Sequence, residues 1–247
     1  MCADFDGNGS MDLYVANDGT PNHLWLNREG GTFAERGMQW GVANKLFGEA
    51  EAGMGVALGD TNADGLPDLL VTHIDRETHT LYTAIDSSEG TAAMMDATVA
   101  SGLGVPTLPH TGFGVALADI DNDGYRDVAV ANGRVRKAPG MATVGSGFTA
   151  TYGEANFLAV NDGAGRFRSG CEDTSLCTSA EISRGLLAVD LDRDGDLDLV
   201  ITNANGPARV FDNRTRRSGH WLSARLVDPS INRDAIGATL RERAGKR

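Results

Sequence analysis

The chain has 247 residues, a formal net charge of −12 and 41% hydrophobic residues. This length allows one large β domain or two smaller ones, and the hydrophobic content excludes a chain that is disordered by composition. The acidic charge argues against nucleic acid as a partner, and no apolar run approaches the ~18 residues that a transmembrane helix needs.

One acidic motif recurs along the chain. It occurs first as DFDGNGSMD at residues 4–12, and again as DTNADGLPD at 60–68, DIDNDGYRD at 119–127 and DLDRDGDLD at 190–198. Each copy has Asp at position one, Asp or Asn at positions three and five, Gly at position six and Asp at position nine. Four copies in register make chance a poor explanation, and we call these segments loops 1 to 4.

The spacing within each loop is typical of a calcium site. Calcium binds six to eight oxygen atoms at about 2.3–2.6 Å, and alternating acidic side chains converge when the chain curls around a point. Gly at position six allows the sharp turn because it tolerates a positive φ. The EF-hand loop begins in the same way but ends with Glu at position twelve between two helices. Here the last acid stands at position nine and a β-branched run follows, which predicts a calcium loop between two strands.

Short strand patterns surround the loops. Matching apolar runs precede three of them, at residues 55–60, 114–119 and 186–190, and a second and a third run follow each loop. The loops start 56, 59 and 71 residues apart. Four short strands per unit of about 60 residues, with Gly-rich turns, predict an all-β chain of β-propeller blades. The predicted repeats cover about 1–50, 51–108, 109–181 and 182–222.

The longest step between loops has a visible cause. Residues 134–151, RVRKAPGMATVGSGFTAT, are extra relative to the other repeats and predict a loop inserted between the second and third strands of the third repeat. This loop is either a plain excursion or faces a ligand. Cys171 and Cys177 either close a small surface loop as a disulfide or remain two free thiols, and Cys2 has no obvious partner.

Two sets of residues resemble a known family. GVALGD followed by Asp-x-Asp-x-Asp-Gly-x-x-Asp resembles the FG-GAP/VCBS repeat of integrin α-subunit propellers. GHWLSARLVDPSINRDAIGATL at 219–240 resembles the start of the ASPIC/UnbV domain, where a His-Trp-Leu strand precedes an Asn-Arg-Asp-Ala-Ile-Gly segment. ANFLAVNDGAGRF before loop 4 also fits. The chain is thus similar to the cartilage acidic protein family and its bacterial relatives, which implies a secreted calcium-binding propeller with a role in adhesion.

The resemblance implies the same ligands as the spacing, and it adds a backbone carbonyl at position seven. Up to four Ca²⁺ are expected, and loops 1 and 2 are expected to bind more weakly because Asn8 and Asn62 replace carboxylates. The expected ligands are Asp4, Asp6, Asn8, Ser10 and Asp12; Asp60, Asn62, Asp64, Leu66 and Asp68; Asp119, Asp121, Asp123, Tyr125 and Asp127; and Asp190, Asp192, Asp194, Asp196 and Asp198.

The ends of the sequence suggest a fragment of a longer protein. Asp4 follows Met1 too closely for a leading strand, and residues 223–247 read as the truncated beginning of an ASPIC/UnbV segment. Four integrin α-like blades would then form an incomplete ring. The start of the chain lacks the features of a signal peptide. An extracellular, periplasmic or cell-surface location is nevertheless expected, because extracellular calcium modules bind at about 10⁻⁴–10⁻³ M, far above cytosolic free calcium.

The histidines are candidates for separate chemistry. His73 and His79 flank Asp75 and Glu77, which suggests either a transition-metal or acid–base site or, more simply, a polar turn between strands. His110 and His220 are expected to be a loop residue and a structural residue. Asn213 begins the sequon NRT, which matters only in a eukaryotic secretory route.

Two classes of function are consistent with these patterns. The first is a calcium-stabilised scaffold for adhesion or for binding an extracellular protein or glycan. The second is a carbohydrate lyase or hydrolase with a site at the propeller's central channel. No hydrolase, metalloprotease, Walker or dinucleotide motif is present, so no catalytic residue is expected. Acids and histidines outside the loops that cluster at a channel mouth would favour the enzyme.

Overall fold

The computed structural model describes residues 1–28, 30–85, 93–137, 151–172, 174–215, 219–230, 235, 238 and 240. The prediction of an all-β chain is confirmed, since the described residues form antiparallel sheets, and in the four largest the strand order follows the chain. We number the four main sheets 1 to 4.

Sheets 1, 2 and 3 have four strands each, and sheet 4 has three among the described residues. In sheet 1 these are β1 (Cys2–Ala3), β2 (Asp12–Val15), β3 (His23–Arg28) and β4 (Thr32–Glu35). The expectation that no leading strand fits before loop 1 was wrong, because two residues suffice for β1 to pair with β2. Sheet 2 contains β5 (Val56–Gly59), β6 (Asp68–Val71), β7 (Thr80–Ile85) and β8 (Ala93–Asp96). Sheet 3 contains β9 (Gly112–Ala118), β10 (Asp127–Asn132), β12 (Phe157–Asn161) and β13 (Phe167–Ser169). Sheet 4 contains β15 (Ser183–Val189), β16 (Asp198–Asn203) and β17 (Arg209–Phe211).

Smaller elements connect these sheets. Strands β11 (Glu154–Ala155) and β14 (Ala180–Glu181) pair with each other, and the helical turns are α1 (Gly104–Thr107) and a 3₁₀ turn (Ser175–Cys177). Cys171 and Cys177 form a disulfide, which decides between the two alternatives for this pair, while Cys2 is free and exposed.

The sheets pack face to face in chain order because successive strand residues point to opposite faces. In β6, Leu69 and Val71 join a hydrophobic cluster with sheet 1, whereas Leu70 joins a cluster with sheet 3. In β10, Val128 faces sheet 2 and Ala129 faces sheet 4 in the same way. Sheets 2 and 3 are therefore covered on both faces, as a continuous run of apolar residues predicts.

The outer faces of the two end sheets are open among the described residues. Leu13 and Val15 of sheet 1 are 37% and 42% exposed, and Leu187 and Val210 of sheet 4 are 58% and 61% exposed. Leu13 follows its ninth-position Asp directly, as Leu69 does in sheet 2. The open face of sheet 1 therefore corresponds to the face that sheet 2 packs against sheet 1.

The first strands of neighbouring sheets approach closely. A Cβ atom on Gly55 would overlap the carbonyl oxygen of Phe113, and a Cβ on Gly114 would overlap the backbone at Leu186. Strands β5, β9 and β15 therefore lie side by side, with glycine at each closest approach. The described residues show this row of four sheets, and closure of the row into a propeller ring stays a prediction.

Two predicted segments fall partly outside the described residues. Of the insertion predicted at 134–151, residues 138–150 lie outside, and a bridge between Gly133 and Gly153 flanks the described remainder. Most of the predicted ASPIC/UnbV segment after residue 230 also lies outside. Residues 219–227 form neither helix nor strand. No helix in the described part of the chain has the length and hydrophobicity to cross a membrane.

Candidate metal centres

Each loop is closed by its own first residue. The carboxylate at position one accepts a hydrogen bond from the backbone N–H of the glycine at position six, whose φ is positive in all four loops, between 84° and 96°. The left-handed turn predicted at this glycine is therefore present. The four bonds are Gly9 N to Asp4 (2.8 Å), Gly65 N to Asp60 (2.9 Å), Gly124 N to Asp119 (2.9 Å) and Gly195 N to Asp190 (3.1 Å).

A second left-handed residue stands at position four of every loop. It is Gly7, Ala63, Asn122 and Arg193 in loops 1 to 4, with φ of 69°, 59°, 57° and 65°. Gly and Asn favour this region, whereas Ala and Arg do not. The backbone thus curls twice within each loop, and this turn was not predicted because Ala63 and Arg193 carry no signal for it.

The ninth-position aspartates hold the loops to the sheets. Each is at most 4% exposed and accepts two backbone hydrogen bonds: Oδ2 from the N–H of position two, and Oδ1 from an N–H at the end of the third strand. The Oδ2 bonds are Phe5 N to Asp12 (2.8 Å), Thr61 N to Asp68 (2.9 Å), Ile120 N to Asp127 (3.0 Å) and Leu191 N to Asp198 (3.0 Å). The Oδ1 bonds are Asn27 N to Asp12 (2.7 Å), Ala84 N to Asp68 (3.0 Å), Asn161 N to Asp127 (2.9 Å) and Asn213 N to Asp198 (2.9 Å).

The side chain at position five orders the next turn, since it accepts a hydrogen bond from the N–H of position seven in each loop. These bonds are Ser10 N to Asn8 (2.8 Å), Leu66 N to Asp64 (2.8 Å), Tyr125 N to Asp123 (2.8 Å) and Asp196 N to Asp194 (3.0 Å). All four loops therefore share one folded shape, which the repeated spacing had indicated.

Carboxylate oxygens converge in three of the four loops. One oxygen from each member of a set lies within 4.8 Å of the others, and the sets are Asp4, Asp6 and Asp12 in loop 1, Asp119, Asp121 and Asp127 in loop 3, and Asp190, Asp192 and Asp194 in loop 4. Loop 2 differs because the Asn62 side-chain amide donates to Asp64 at 2.9 Å. An amide nitrogen is not a cation ligand, so loop 2 has the poorest donor set in this arrangement.

The electrostatics of the loops favour a cation. Burial raises the pKa of Asp127 to about 7, and it also raises the pKa of Asp68 and Asp119. Buried Oδ1 of Asp190 has no hydrogen-bond partner among the described residues. A divalent cation would stabilise the charged form of such groups, and an all-oxygen donor set suits Ca²⁺ or Mg²⁺ rather than zinc or copper. The residues present therefore fit a hard divalent cation.

The predicted polar turn at residues 73–79 contains two buried histidines. His73 and His79 are 0% and 1% exposed, so the turn is not a polar surface turn around them. His73 Nδ1 donates to the Thr78 carbonyl at 2.8 Å, and His79 Nδ1 accepts from the His73 N–H at 3.2 Å. Nε2 of His73 lies 3.7 Å from Glu51. Burial lowers the pKa of both histidines, to about 4 for His73.

Two asparagines at the ends of third strands were not predicted as part of the site. The side-chain amide of Asn213 donates to the carbonyls of Ile120 at 2.7 Å and Leu197 at 3.2 Å. Glycosylation would replace one of the two amide hydrogens and break at least one of these bonds, so this sequon is a poor acceptor in the folded chain. Asn161 makes the corresponding pair of bonds, to Thr61 at 2.7 Å and Arg126 at 3.0 Å.

A sequence signal for these asparagines existed. In repeats 1 and 4 the asparagine follows the ninth-position Asp by 15 residues, from Asp12 to Asn27 and from Asp198 to Asn213. In repeat 3 the insertion hides the spacing, because Asn161 follows Asp127 by 34 residues.

Comparison with known proteins agrees with the repeat. Residues 4–71 match the FG-GAP-like repeat. No curated protein sequence matches the chain. Among solved structures, a lectin from Agrocybe aegerita, described for its specific recognition of non-reducing terminal N-acetylglucosamine, aligns with 86% of this chain at 19% identity and a TM-score of 0.40. The aligned region spans 51% of that lectin, about half its length. The residues that match the FG-GAP-like repeat, 4–71, include both loop 1 and loop 2.

Proposed function

We propose that this chain is a calcium-binding β-propeller scaffold that works outside the cytoplasm and binds an extracellular protein or glycan. The observation that carries the proposal is the common shape of the four loops. In each loop the carboxylates at positions one and nine hold the backbone, and in three loops carboxylate oxygens from three aspartates lie within 4.8 Å of one another. Bound calcium would neutralise the negative charge of these clustered carboxylates.

The packing of the sheets supports the propeller. Each sheet is a meander whose strand order follows the chain, the first strands lie closest together, and hydrophobic clusters fill the space between successive sheets. Propeller blades are four-stranded antiparallel sheets arranged around a central axis. We assign the axis to the side where β5, β9 and β15 meet.

The calcium requirement supports the location. Loops of this kind would stand empty at cytosolic calcium levels, and their clustered aspartates would repel one another. The proposed protein is therefore exported, and the likeness of residues 219–240 to an ASPIC/UnbV segment agrees with a secreted adhesion or matrix protein. Neither nucleic acid nor a membrane-spanning role is part of the proposal.

A scaffold is favoured over a carbohydrate-active enzyme. Four of the acids and histidines outside the loops, Glu51, His73, His79 and Glu154, are at most 5% exposed. A general acid must reach the scissile bond of its substrate, and groups enclosed between strands do not reach a polysaccharide. The aspartates in the loops are committed as ligands.

Calorimetric titration of chelator-stripped protein tests the proposal. We expect up to four Ca²⁺ per chain, with loops 3 and 4 tighter than loops 1 and 2, because Asn8 and Asn62 replace carboxylates. Asp121→Asn should remove one site, whereas Asp162→Asn, which removes the same charge from an exposed turn, should remove none. A stoichiometry near zero, or no preference for Ca²⁺ over Mg²⁺, would overturn the proposal.

The ligand is tested separately. A screen of glycans and matrix proteins, performed in millimolar calcium and in chelator, should give binding that requires calcium. Binding that persists unchanged in chelator would separate the ligand site from the loops and contradict a calcium-dependent scaffold.

A further inference from the structure

The asparagines that end the third strands connect one loop to the next. Asn161 is 3% exposed, and its side-chain amide donates to Thr61 of loop 2 and to Arg126 of loop 3, at 2.7 Å and 3.0 Å. Thr61 stands at position two and Arg126 at position eight of their loops. One buried side chain therefore fixes a carbonyl in each of two cation loops that are far apart in sequence.

Asn213 repeats this connection between loops 3 and 4. Its amide donates to Ile120, again at position two, and to Leu197, again at position eight, at 2.7 Å and 3.2 Å. A second link joins the same two loops, since the Asn122 amide donates to the Asp196 carboxylate at 2.6 Å and to the Gly195 carbonyl at 3.3 Å. Loops 2, 3 and 4 thus form a continuous hydrogen-bonded series.

Loop 1 is outside this series. The residue of sheet 2 that corresponds to Asn161 is Ala84, whose N–H donates to Asp68 at 3.0 Å but which has no side-chain amide. Asn27 of sheet 1 donates to Met11 of its own loop at 3.2 Å. Between described residues, no hydrogen bond joins loop 1 to loop 2. Asparagine side chains therefore connect loop 2 to loop 3 and loop 3 to loop 4, whereas loops 1 and 2 are not connected in this way.

We propose that loops 2, 3 and 4 bind cations as one cooperative unit through Asn161 and Asn213, and that loop 1 binds independently. This inference rests on the proposed function, since it presupposes that the loops bind Ca²⁺. A cation that orders one loop also orders the carbonyl at its position two or eight. The bridging amide then holds the corresponding carbonyl of the next loop. Binding of the next cation therefore loses less conformational entropy, because part of its loop is already ordered. Couplings between sites in proteins are typically about 5- to 150-fold in affinity.

Loop-resolved calcium titration tests the coupling. The backbone amides of Gly9, Gly65, Gly124 and Gly195, one in each loop, report calcium binding separately in ¹H–¹⁵N NMR spectra. Asp64→Ala, which removes an expected ligand in loop 2, should weaken calcium binding at Gly124 by about fivefold or more. Its matched control is Asp6→Ala, which removes the same charge from loop 1 and should leave binding at Gly65 within about twofold.

Two further variants assign the coupling to the bridge. Asn161→Ala places in sheet 3 the residue that sheet 2 has at the corresponding position, Ala84. It should abolish the effect of Asp64→Ala on calcium binding at Gly124. Ala84→Asn should create coupling where none exists, so that Asp6→Ala then weakens binding at Gly65. The second variant keeps the test decisive if Asn161→Ala does not fold.

The outcomes separate this inference from the proposed function. Glycine amides that do not respond to calcium in any loop would overturn both. Calcium binding with equal effects of Asp6→Ala and Asp64→Ala on the next loop would overturn only the coupling. If the coupling between loops 2 and 3 persisted in Asn161→Ala, the Asn161 side chain would not transmit it.

Discussion

At the loop edge of the sheets, every buried ninth-position carboxylate accepts the same two backbone hydrogen bonds, whereas at the opposite edge each buried carboxylate has its own set of partners. Asp127 accepts from the N–H groups of Ile120 and Asn161. Glu51, at the opposite edge, accepts from the Thr80 hydroxyl at 2.8 Å and lies 3.7 Å from His73 Nε2. Both carboxyl groups are at most 5% exposed, and burial raises the pKa of each to about 7.

The two edges differ in whether their hydrogen bonds recur from sheet to sheet. The backbone bonds at the loop edge recur in all four sheets because they depend only on the spacing of an Asp. The opposite edge has a different partner in each sheet: Glu154 lies 3.2 Å from Arg134 Nε, and Glu181 pairs with Arg209. The shared backbone bonds give every loop the same shape, and in three loops this shape brings carboxylate oxygens together. The individual side-chain partners at the opposite edge build only local structure.

Among the changes that test this difference between the edges, removal of a ninth-position Asp should lower the free energy of unfolding most. Asp127→Ala leaves the buried N–H groups of Ile120 and Asn161 without their acceptor, and each such loss costs about 1–3 kcal/mol. We expect a loss of about 2–6 kcal/mol in the free energy of unfolding in chelator. The loss should be larger in calcium, because Asp127 is also an expected ligand. Thermal and denaturant unfolding in both conditions measures it.

Asp123→Ala is the matched control for Asp127→Ala. Asp123 accepts one local bond from Tyr125, so the substitution should lower the melting temperature in calcium and leave it nearly unchanged in chelator. If Asp127→Ala behaved in the same way, with an effect confined to calcium, the ninth position would be a ligand alone and not a structural anchor.

Calcium itself should stabilise the loop edge and not the opposite edge. At 100 times its Kd, one site adds about 2.7 kcal/mol to the free energy of unfolding. The parent should therefore melt at a clearly higher temperature in millimolar calcium than in chelator. Substitution of His79, which is buried at the opposite edge, should lower both melting temperatures equally. A parent whose melting temperature ignores chelator would show that the loops are only acidic turns.

The opposite edge should instead respond to pH through Glu51. Because burial raises its pKa from 4.5 to about 7, the folded chain keeps a proton that the unfolded chain releases above pH 4.5. The stability contributed by this group is therefore complete below pH 4.5 and is lost as pH rises through 7. Glu51→Gln removes the loss, so it should stabilise the protein by about 1–3 kcal/mol at pH 8 relative to the parent.

Paired unfolding measurements at pH 4.5 and pH 8 check this prediction. Most of the gain from Glu51→Gln should disappear at pH 4.5, where the parent carboxyl is protonated in the folded state and half protonated in the unfolded state. An equal difference at the two pH values would mean that Glu51 does not titrate on folding. Loop variants provide the comparison, since their effects should follow calcium rather than this group.

Sequence reasoning recovered the parts of the fold that depend on short spacings. The four loops, the turn at Gly124 and its equivalents, and the strands on either side follow from residues within nine positions of one another. It missed the contacts that only the packing of sheets creates. Asn161 meets Thr61 across 100 residues of chain, and no local pattern places those two residues together.

The buried histidines show the same limit. HIDRETH is polar in composition, and a turn is the simpler interpretation of it. The turn is present, but His73 and His79 point into the protein because their ring nitrogens satisfy backbone groups of the turn. Burial of a polar side chain depends on a partner that composition does not reveal.

The alternation of faces along the second strands bears on how such a chain grows. In sheets 2 and 3 the residue after the ninth-position Asp faces the preceding sheet and the next residue faces the following one, as Leu69 and Leu70 do. Each interface is thus specified by one unit of about 60 residues and its neighbour. Duplication of such a unit within the gene would add a sheet whose faces fit the preceding and the following sheet. The number of repeats could therefore change during evolution without redesign of the core.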